Sequence, residues 1–347
     1  MSADEKLDTG KAPEAPERLI VSPSPHLRSK DTTASIMMWV AIALVPGIAV
    51  SLYYFGLEAA RVMVLAIVSC LAFEFLSMKL LGTKGSLKDM SALVTGMLLG
   101  MNLPPTSPWW MVVAGGLIAM FVAKHLFGGL GANIFNPALT ARVFLLIAWP
   151  VHMTRWLTPG VRGLVTPDQL ESVTGATPLG LLSENAAWKV QAFNPTDLLM
   201  GNVGGSVGEI SAIALILGGV ILLAKKIITW EIPVFFIGTT FAVTGAAWLY
   251  SPYVFADPLT HILTGGLMLG AFFMATDMVT TPLSRKGAVV FAVGCGVLTS
   301  VIRIWGSYPE GVSFSILIMN SLTPLIDRWT AGKPFGTPRR APREVKP

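Results

Sequence analysis

The sequence predicts an all-α polytopic membrane protein of about ten spans, set out as two inverted five-helix repeats. Three observations predict it. Charged residues make up 13% of the 347 and hydrophobic residues 53%, with mean hydropathy +0.64, whereas a soluble domain carries about 25% charged residues. Apolar runs recur along most of the chain, near the roughly 20 residues that a bilayer core requires. Lys and Arg are divided unequally between alternate connections, as in chains that cross a membrane repeatedly.

Residues 1–31 are polar and Pro-rich and lack the basic start, apolar core and small-residue cleavage site of a signal peptide. They are read as a cytoplasmic segment before an uncleaved first span. Apolar runs near 34–55, 61–81, 90–103, 109–127 and 132–150 make a first set within residues 32–150. Runs near 208–228, 231–250, 258–278, 287–305 and 312–329 make a second within 208–329. Residues 151–207 form the only long polar segment between them, and 330–347 a basic, Pro-rich tail. The spans use up most of the chain and leave no room for a separate soluble catalytic domain. The third run is short and stops at Asn102-Leu103-Pro104-Pro105. The fifth contains Asn136-Pro137, where helical backbone bonding must break, which a membrane tolerates only against protein or a polar cavity.

With a cytoplasmic N-terminus, Arg61, Arg155, Arg162, Lys189 and Arg303 fall outside, and the other 20 of the 25 Lys and Arg, Lys124 among them, fall inside. The reverse orientation inverts that ratio, so both termini are expected in the cytoplasm and the 151–207 loop outside. Within the spans, Thr95-Gly96-Met97-Leu98-Leu99-Gly100 looks like Thr264-Gly265-Gly266-Leu267-Met268-Leu269-Gly270, and Asn136-Pro137-Ala138-Leu139-Thr140 like Asn320-Ser321-Leu322-Thr323-Pro324. Each pair occupies matching places in the two sets. An odd number of spans per set inverts one relative to the other, and folds of that kind bind their cargo at the repeat interface beside broken helices.

Asn136 and Asn320 are therefore the polar midplane candidates, read equally as ligand groups or as helix breakers satisfied by their neighbours. Glu74 and Asp277 are the acidic groups deepest in apolar runs, where ionisable residues often mark an ion route. Asp277 lies close to the Thr280-Thr281-Pro282 turn and reads as well as an interface residue. Charge pairs fit to line a polar solute path are expected to be few. Cys70 and Cys295 both sit in apolar runs and cannot supply the four thiolates of an iron–sulfur cluster. His26, His125, His152 and His261 are scattered without metal-ligand spacing, so no metal is expected.

The polar loop contains Thr174-Gly175-Ala176-Thr177-Pro178. Gly175 permits a tight bend, and Pro178 biases Thr177 to extended backbone, which is expected to hold its hydroxyl clear of the turn. Taken alone, the stretch reads either as a tether or as a turn before an apolar segment. It resembles the covalent flavin-attachment motif of the membrane-bound Rnf and sodium-translocating NADH:quinone reductase families, in which the final threonine carries FMN through a phosphoester. Ser24-Pro25-His26-Leu27, Asn133-Ile134-Phe135-Asn136-Pro137-Ala138 and Ala275-Thr276-Asp277-Met278-Val279-Thr280-Thr281-Pro282 extend the likeness over about residues 20–330. In combination these motifs resemble the NqrB/RnfD family, and the compact start is more similar to its Rnf members than to the quinone reductase subunits. One departure is Glu171, where family motifs commonly have Asp three residues before the first Ser/Thr.

The resemblance implies a urea-transporter-like fold of two inverted five-helix repeats, with covalent FMN on Thr177 framed by Thr174, Gly175 and Ala176. It implies a second, non-covalent flavin such as riboflavin within the bundle. It also implies a hetero-oligomeric inner-membrane complex with other Rnf subunits (A, B, C, E and G) that couples electron transfer between ferredoxin and NAD to Na⁺ or H⁺ translocation. No nucleic acid is implied, and no complete active site lies on this chain. The alternatives are a quinone-reductase subunit or a solute channel without a redox cofactor.

Overall fold

The computed structural model describes residues 31–82, 87–160, 163–165, 169, 173–175, 177–183, 195–306, 308 and 310–332. The chain divides into two units, residues 1–32 and 33–347, and every element below belongs to the second.

The first helix, α1 (Thr33–Leu81), is a single 49-residue run divided at Gly56, whose φ of 54° and ψ of −130° are not helical. This break falls between the two apolar runs expected there. Next come α2 (Ser91–Asn102) and α3 (Trp109–Leu117), which continues as the π-helical Ile118–His125, and then α4 (Pro137–Ala148) and α5 (Pro150–Met153). The polar loop holds β1 (Trp156–Leu157), β2 (Thr174–Gly175), α6 (Pro178–Ser183) and α7 (Pro195–Met200). The second half contains α8 (Ala212–Ala224), α9 (Glu231–Tyr250), α10 (Pro258–Leu263) and α11, a short stretch Leu267–Leu269 that runs on as the π-helical Gly270–Met274. It ends with α12 (Arg285–Trp305) and α13 (Val312–Thr330).

Among the described residues, α1, α9 and α12 are long and apolar enough to cross a membrane; α2, α4 and α8 are shorter. Local chemistry explains the shortening. Leu103, extended ahead of Pro104, ends α2. Asn136 starts α4 by accepting hydrogen bonds from Ala138 N (3.1 Å) and Leu139 N (3.3 Å), with Pro137 in the first turn, where its missing N–H costs nothing. The break foreseen at Asn136-Pro137 is therefore a helix start. The eighth apolar run is divided at Thr264–Gly266, where Gly265 (φ 70°) and Gly266 (φ 65°) take left-handed backbone. Its look-alike at Thr95–Gly100 stays inside the continuous α2, and Asn320, the look-alike of Asn136, sits within the continuous α13.

Small residues let the helices approach closely. A Cβ at Gly96 would lie 2.7 Å from Ile67 Cα, and one at Gly218 only 2.1 Å from Ala43 O, so α2 and α8 both rest almost on the backbone of α1. Leu44, Phe55, Leu99, Met101, Leu145, Phe236 and Phe291 fill the interior. The outside is as apolar as the core: Val64, Val68 and Phe75 of α1, Leu217 of α8 and Val234 of α9 are each more than half exposed. A soluble fold conceals such residues; a helical membrane protein presents them to lipid or to neighbouring proteins of a complex.

Candidate functional site

Among the described residues, two polar centres and the buried ion pairs beside them stand out from this apolar packing. The first centre surrounds Thr177. β2 pairs antiparallel with β1, Leu157 opposite Thr174 and Trp156 opposite Gly175. Gly175 therefore lies in extended strand and not in the bend expected of it; a Cβ there would approach Thr158 Cγ2 at 3.1 Å. Ala176 and Glu171 lie outside the described residues. The Thr177 hydroxyl also departs from expectation. It is turned in, accepting from Gly180 N at 3.0 Å, while the Thr177 carbonyl accepts from Leu181 N at 3.0 Å. Thr177 is 7% exposed and acts as the N-cap of α6, supplying an acceptor to first-turn N–H groups that have no partner within the helix.

A cavity of about 20 Å³ adjoins Thr177 and is lined also by Gly204, Gly205, Glu209, Gly265 and Glu310. Arg142, reaching from α4, donates to Asn102 Oδ1 at 2.6 Å and to Glu209 Oε1 at 3.2 Å, and pairs closely with Glu310. Opposite it, Arg303 of α12 donates to the carbonyls of His261, Thr264 and Gly265. Those carbonyls belong to the end of α10 and the break after it, so Arg303 satisfies groups that a continuous helix would have bonded internally. Arg303, counted to the outer side by its place in the sequence, is buried and holds the broken helix.

The second centre is a cavity of about 110 Å³, room for several waters. Asn133, Asn136, Lys124, Thr276 and Asp277 supply its polar wall, with apolar residues of α1, α2 and α8 completing it. The sequence candidates converge here. Asn136 Nδ2 donates to Met274 O at 3.3 Å. With the Asn320 amide oriented to donate to Ile316 O, its oxygen accepts from Asn136 N at 3.3 Å. Both asparagines are thus buried and spend their groups on backbone of their own and of neighbouring helices. Asp277 stabilises its own turn, accepting from Val279 N (3.4 Å) and Thr280 Oγ1 (3.3 Å), yet still lines the cavity. Replacing Asn136 with Ala removes the α4 cap and the tie to Met274, so a loss of about 1–2 kcal/mol is expected. A lowered midpoint for thermal unfolding in detergent would register it.

Next to this cavity, Glu74 receives Lys124 at 2.7 Å and His125 at 2.9 Å, and Lys124 also donates to Ser91 Oγ at 2.7 Å. All four residues are buried. Lys124, counted among the inner-side charges, is thus buried in an ion pair, and the Arg142 cluster is a second buried set. Sequence reasoning passed over Arg142, Glu209 and Glu310. Arg142 was detectable as an arginine inside an apolar run, a position that usually marks a partnered group; its two partners lie far along the chain and left no local pattern.

Broken helices, an apolar exterior and buried ion pairs define a helical membrane protein with polar centres inside its helix packing. The chain belongs to the NQR2, RnfD, RnfE family, whose profile matches residues 20–336. It is 45% identical over 320 residues, 92% of this chain and 95% of the other, to an Acetobacterium woodii protein named as the D subunit of the Na⁺-translocating ferredoxin:NAD⁺ oxidoreductase complex. It is 44% identical over 325 residues to the Clostridium ljungdahlii protein named as the D subunit of the proton-translocating ferredoxin:NAD⁺ oxidoreductase complex, covering 92% of this chain and 96% of that one. A Halorhodospira halophila protein, the D subunit of the ion-translocating oxidoreductase complex, is 39% identical over 338 residues, 91% of this chain and 95% of that one.

Proposed function

We propose that this chain is the D-type membrane subunit of a complex that couples electron transfer between ferredoxin and NAD to the movement of Na⁺ or H⁺. The observation that carries the reading is the full-length likeness to relatives of that name, over a match that contains Thr174–Pro178. In this reading Thr177 holds FMN through a phosphoester on its hydroxyl, with Thr174, Gly175 and Ala176 as the surrounding motif. The residues fit the phosphoester: glycine at 180 keeps side-chain atoms away from an oxygen that a Cβ would approach at 3.2 Å. The adjoining 20 Å³ cavity is too small for a flavin ring, so these residues fit the linkage and not the ring.

Bound there, FMN supplies one- and two-electron chemistry, which suits a link between one-electron centres and other carriers. The chain's own part is to fix the attachment oxygen through the Gly180 N–H and to border it with Glu209 and Glu310. A non-covalent flavin such as riboflavin within the bundle belongs to this reading too; the second cavity, at about 110 Å³, has a few polar groups in an apolar lining but is smaller than the ~300 Å³ at which ligand pockets begin. The further parts are ten spans in two inverted, urea-transporter-like repeats, with Asn136 and Asn320 meeting where the repeats join. Both termini face the cytoplasm and the Thr177 loop faces outward across the inner membrane, with other Rnf subunits as partners.

The test is a denaturing gel of the purified complex under ultraviolet light, with mass spectrometry of the Thr177 peptide, from a host that supplies the flavin transferase. A fluorescent band and a mass gain of FMN less water on Thr177 are expected. An unmodified peptide from a competent host would overturn the flavin assignment and favour a transporter.

A further inference from the structure

Thr177 is closed in by its own helix. Thr177 and Leu179 are 7% and 3% exposed, and Pro178 between them is buried. α6 lies against α12, and Leu179 lines the cavity beside Thr177 together with Leu198, Leu263 and Gly265. Its side chain fills the notch where the eighth apolar run breaks, since a Cβ on Gly265 would collide with Leu179 Cδ1. Glycine at 265 thus takes left-handed backbone (φ 70°) and also leaves the notch open to leucine. The space remaining beside Thr177 is about 20 Å³. That is room for a single water, whereas ligand pockets begin near ~300 Å³.

The covalent linkage needs more. As the phosphoester forms at Thr177 Oγ, the hydroxyl proton leaves to water and the bond from phosphorus to the donor's leaving group breaks. The donor, an activated flavin phosphate brought by the transferase, must reach the oxygen, and the finished FMN must remain on it. Neither fits while Leu179 fills the notch. We infer that α6 is a latch that undocks from the Gly265 notch to admit the flavin, and that FMN on Thr177 then keeps it undocked. This rests on the flavin assignment above. Thr177 is the hinge between β2 and α6, and the Gly180 N–H that holds its oxygen belongs to α6 and moves with it. The strands are held separately: Thr158 N donates to Val173 O at 2.9 Å and Gly160 N to Tyr54 O at 3.0 Å. Short elements with few anchors open locally while the rest of a fold stays intact.

The experiment is amide hydrogen exchange, followed by mass spectrometry, on the intact complex prepared in three ways. One is made with the flavin transferase, one without it, and one without it carrying Leu179→Ala. The peptide over Thr177–Ser183 reports the latch, and the peptide over Trp156–Leu157 reports the strand that stays. Without the transferase, the α6 amides are expected to exchange about tenfold more slowly than with it, and Leu179→Ala to exchange as fast as the flavin-bearing chain. The strand peptide is expected to behave alike in all three. Equal exchange of the α6 peptide with and without flavin would overturn the inference, as would slow exchange in Leu179→Ala or a strand that loosens together with α6. An unmodified Thr177 peptide from the competent host would instead remove the flavin assignment on which the inference rests.

Discussion

Thr177→Ala is expected to eliminate the covalent flavin band and to stop electron flow through the complex while the complex still assembles. The substitution removes the attachment oxygen, and no other hydroxyl replaces it in the α6 cap. The structural cost is small by comparison. The hydroxyl's one described role is to accept from Gly180 N, and losing an N-cap of this type costs about 1 kcal/mol. Gel fluorescence, subunit content and ferredoxin-dependent NAD reduction separate the two effects, because a capping defect alone lowers thermal stability and leaves the flavin in place. Thr177→Ser retains an oxygen for both roles and is expected to keep the cap with at least part of the flavin. Undiminished electron transfer in Thr177→Ala would remove Thr177 from the electron path.

Glu74→Ala is expected to be the most destabilising single change outside the loop. Glu74 is buried against two basic residues, and its removal leaves Lys124 with Ser91 as its described hydrogen-bond partner. Breaking a buried pair by deleting one member costs about 3–5 kcal/mol, because the other charge stays desolvated and uncompensated. Replacing the pair together, as Glu74→Leu with Lys124→Met, is expected to recover most of that loss. Thermal unfolding of the detergent-solubilised protein measures both. A double variant no more stable than Glu74→Ala would mean that the pair's hydrogen bonds, and not its charge balance, hold α1 to α3.

Some residues in these predictions were legible early and others were not. Asn136-Pro137 announces a helix boundary by itself, since the asparagine accepts from the first free N–H groups and the proline needs none. Glu74 and Asp277 stood out as acids within apolar runs. Thr177 was legible as a motif, but its hydroxyl's engagement was not, because whether a Ser/Thr before a proline points outward or caps the next turn depends on the helix that follows it. Arg303 and Lys124 show what a count of charges by side leaves out: it says nothing of burial, and here a break in a helix and a distant carboxylate supply buried partners.

What the sequence determined by itself was the class of protein, the boundaries where proline and asparagine interrupt the apolar runs, and the candidate flavin threonine. The first two follow from local composition and from spacings of a few residues, because a bilayer admits only backbone that bonds within its own helix or against protein; the threonine follows from the resemblance of its motif to a known family. Only the tertiary structure decided that Arg142 joins Glu209 and Glu310 beside Thr177, that Lys124 and His125 share Glu74, and that Asn136 meets Asn320. Each is a meeting of residues 50 to 184 positions apart. Partners at such separations are chosen by which helices pack together, and the buried charges then require one another because burial away from bulk solvent makes an unpaired charge costly.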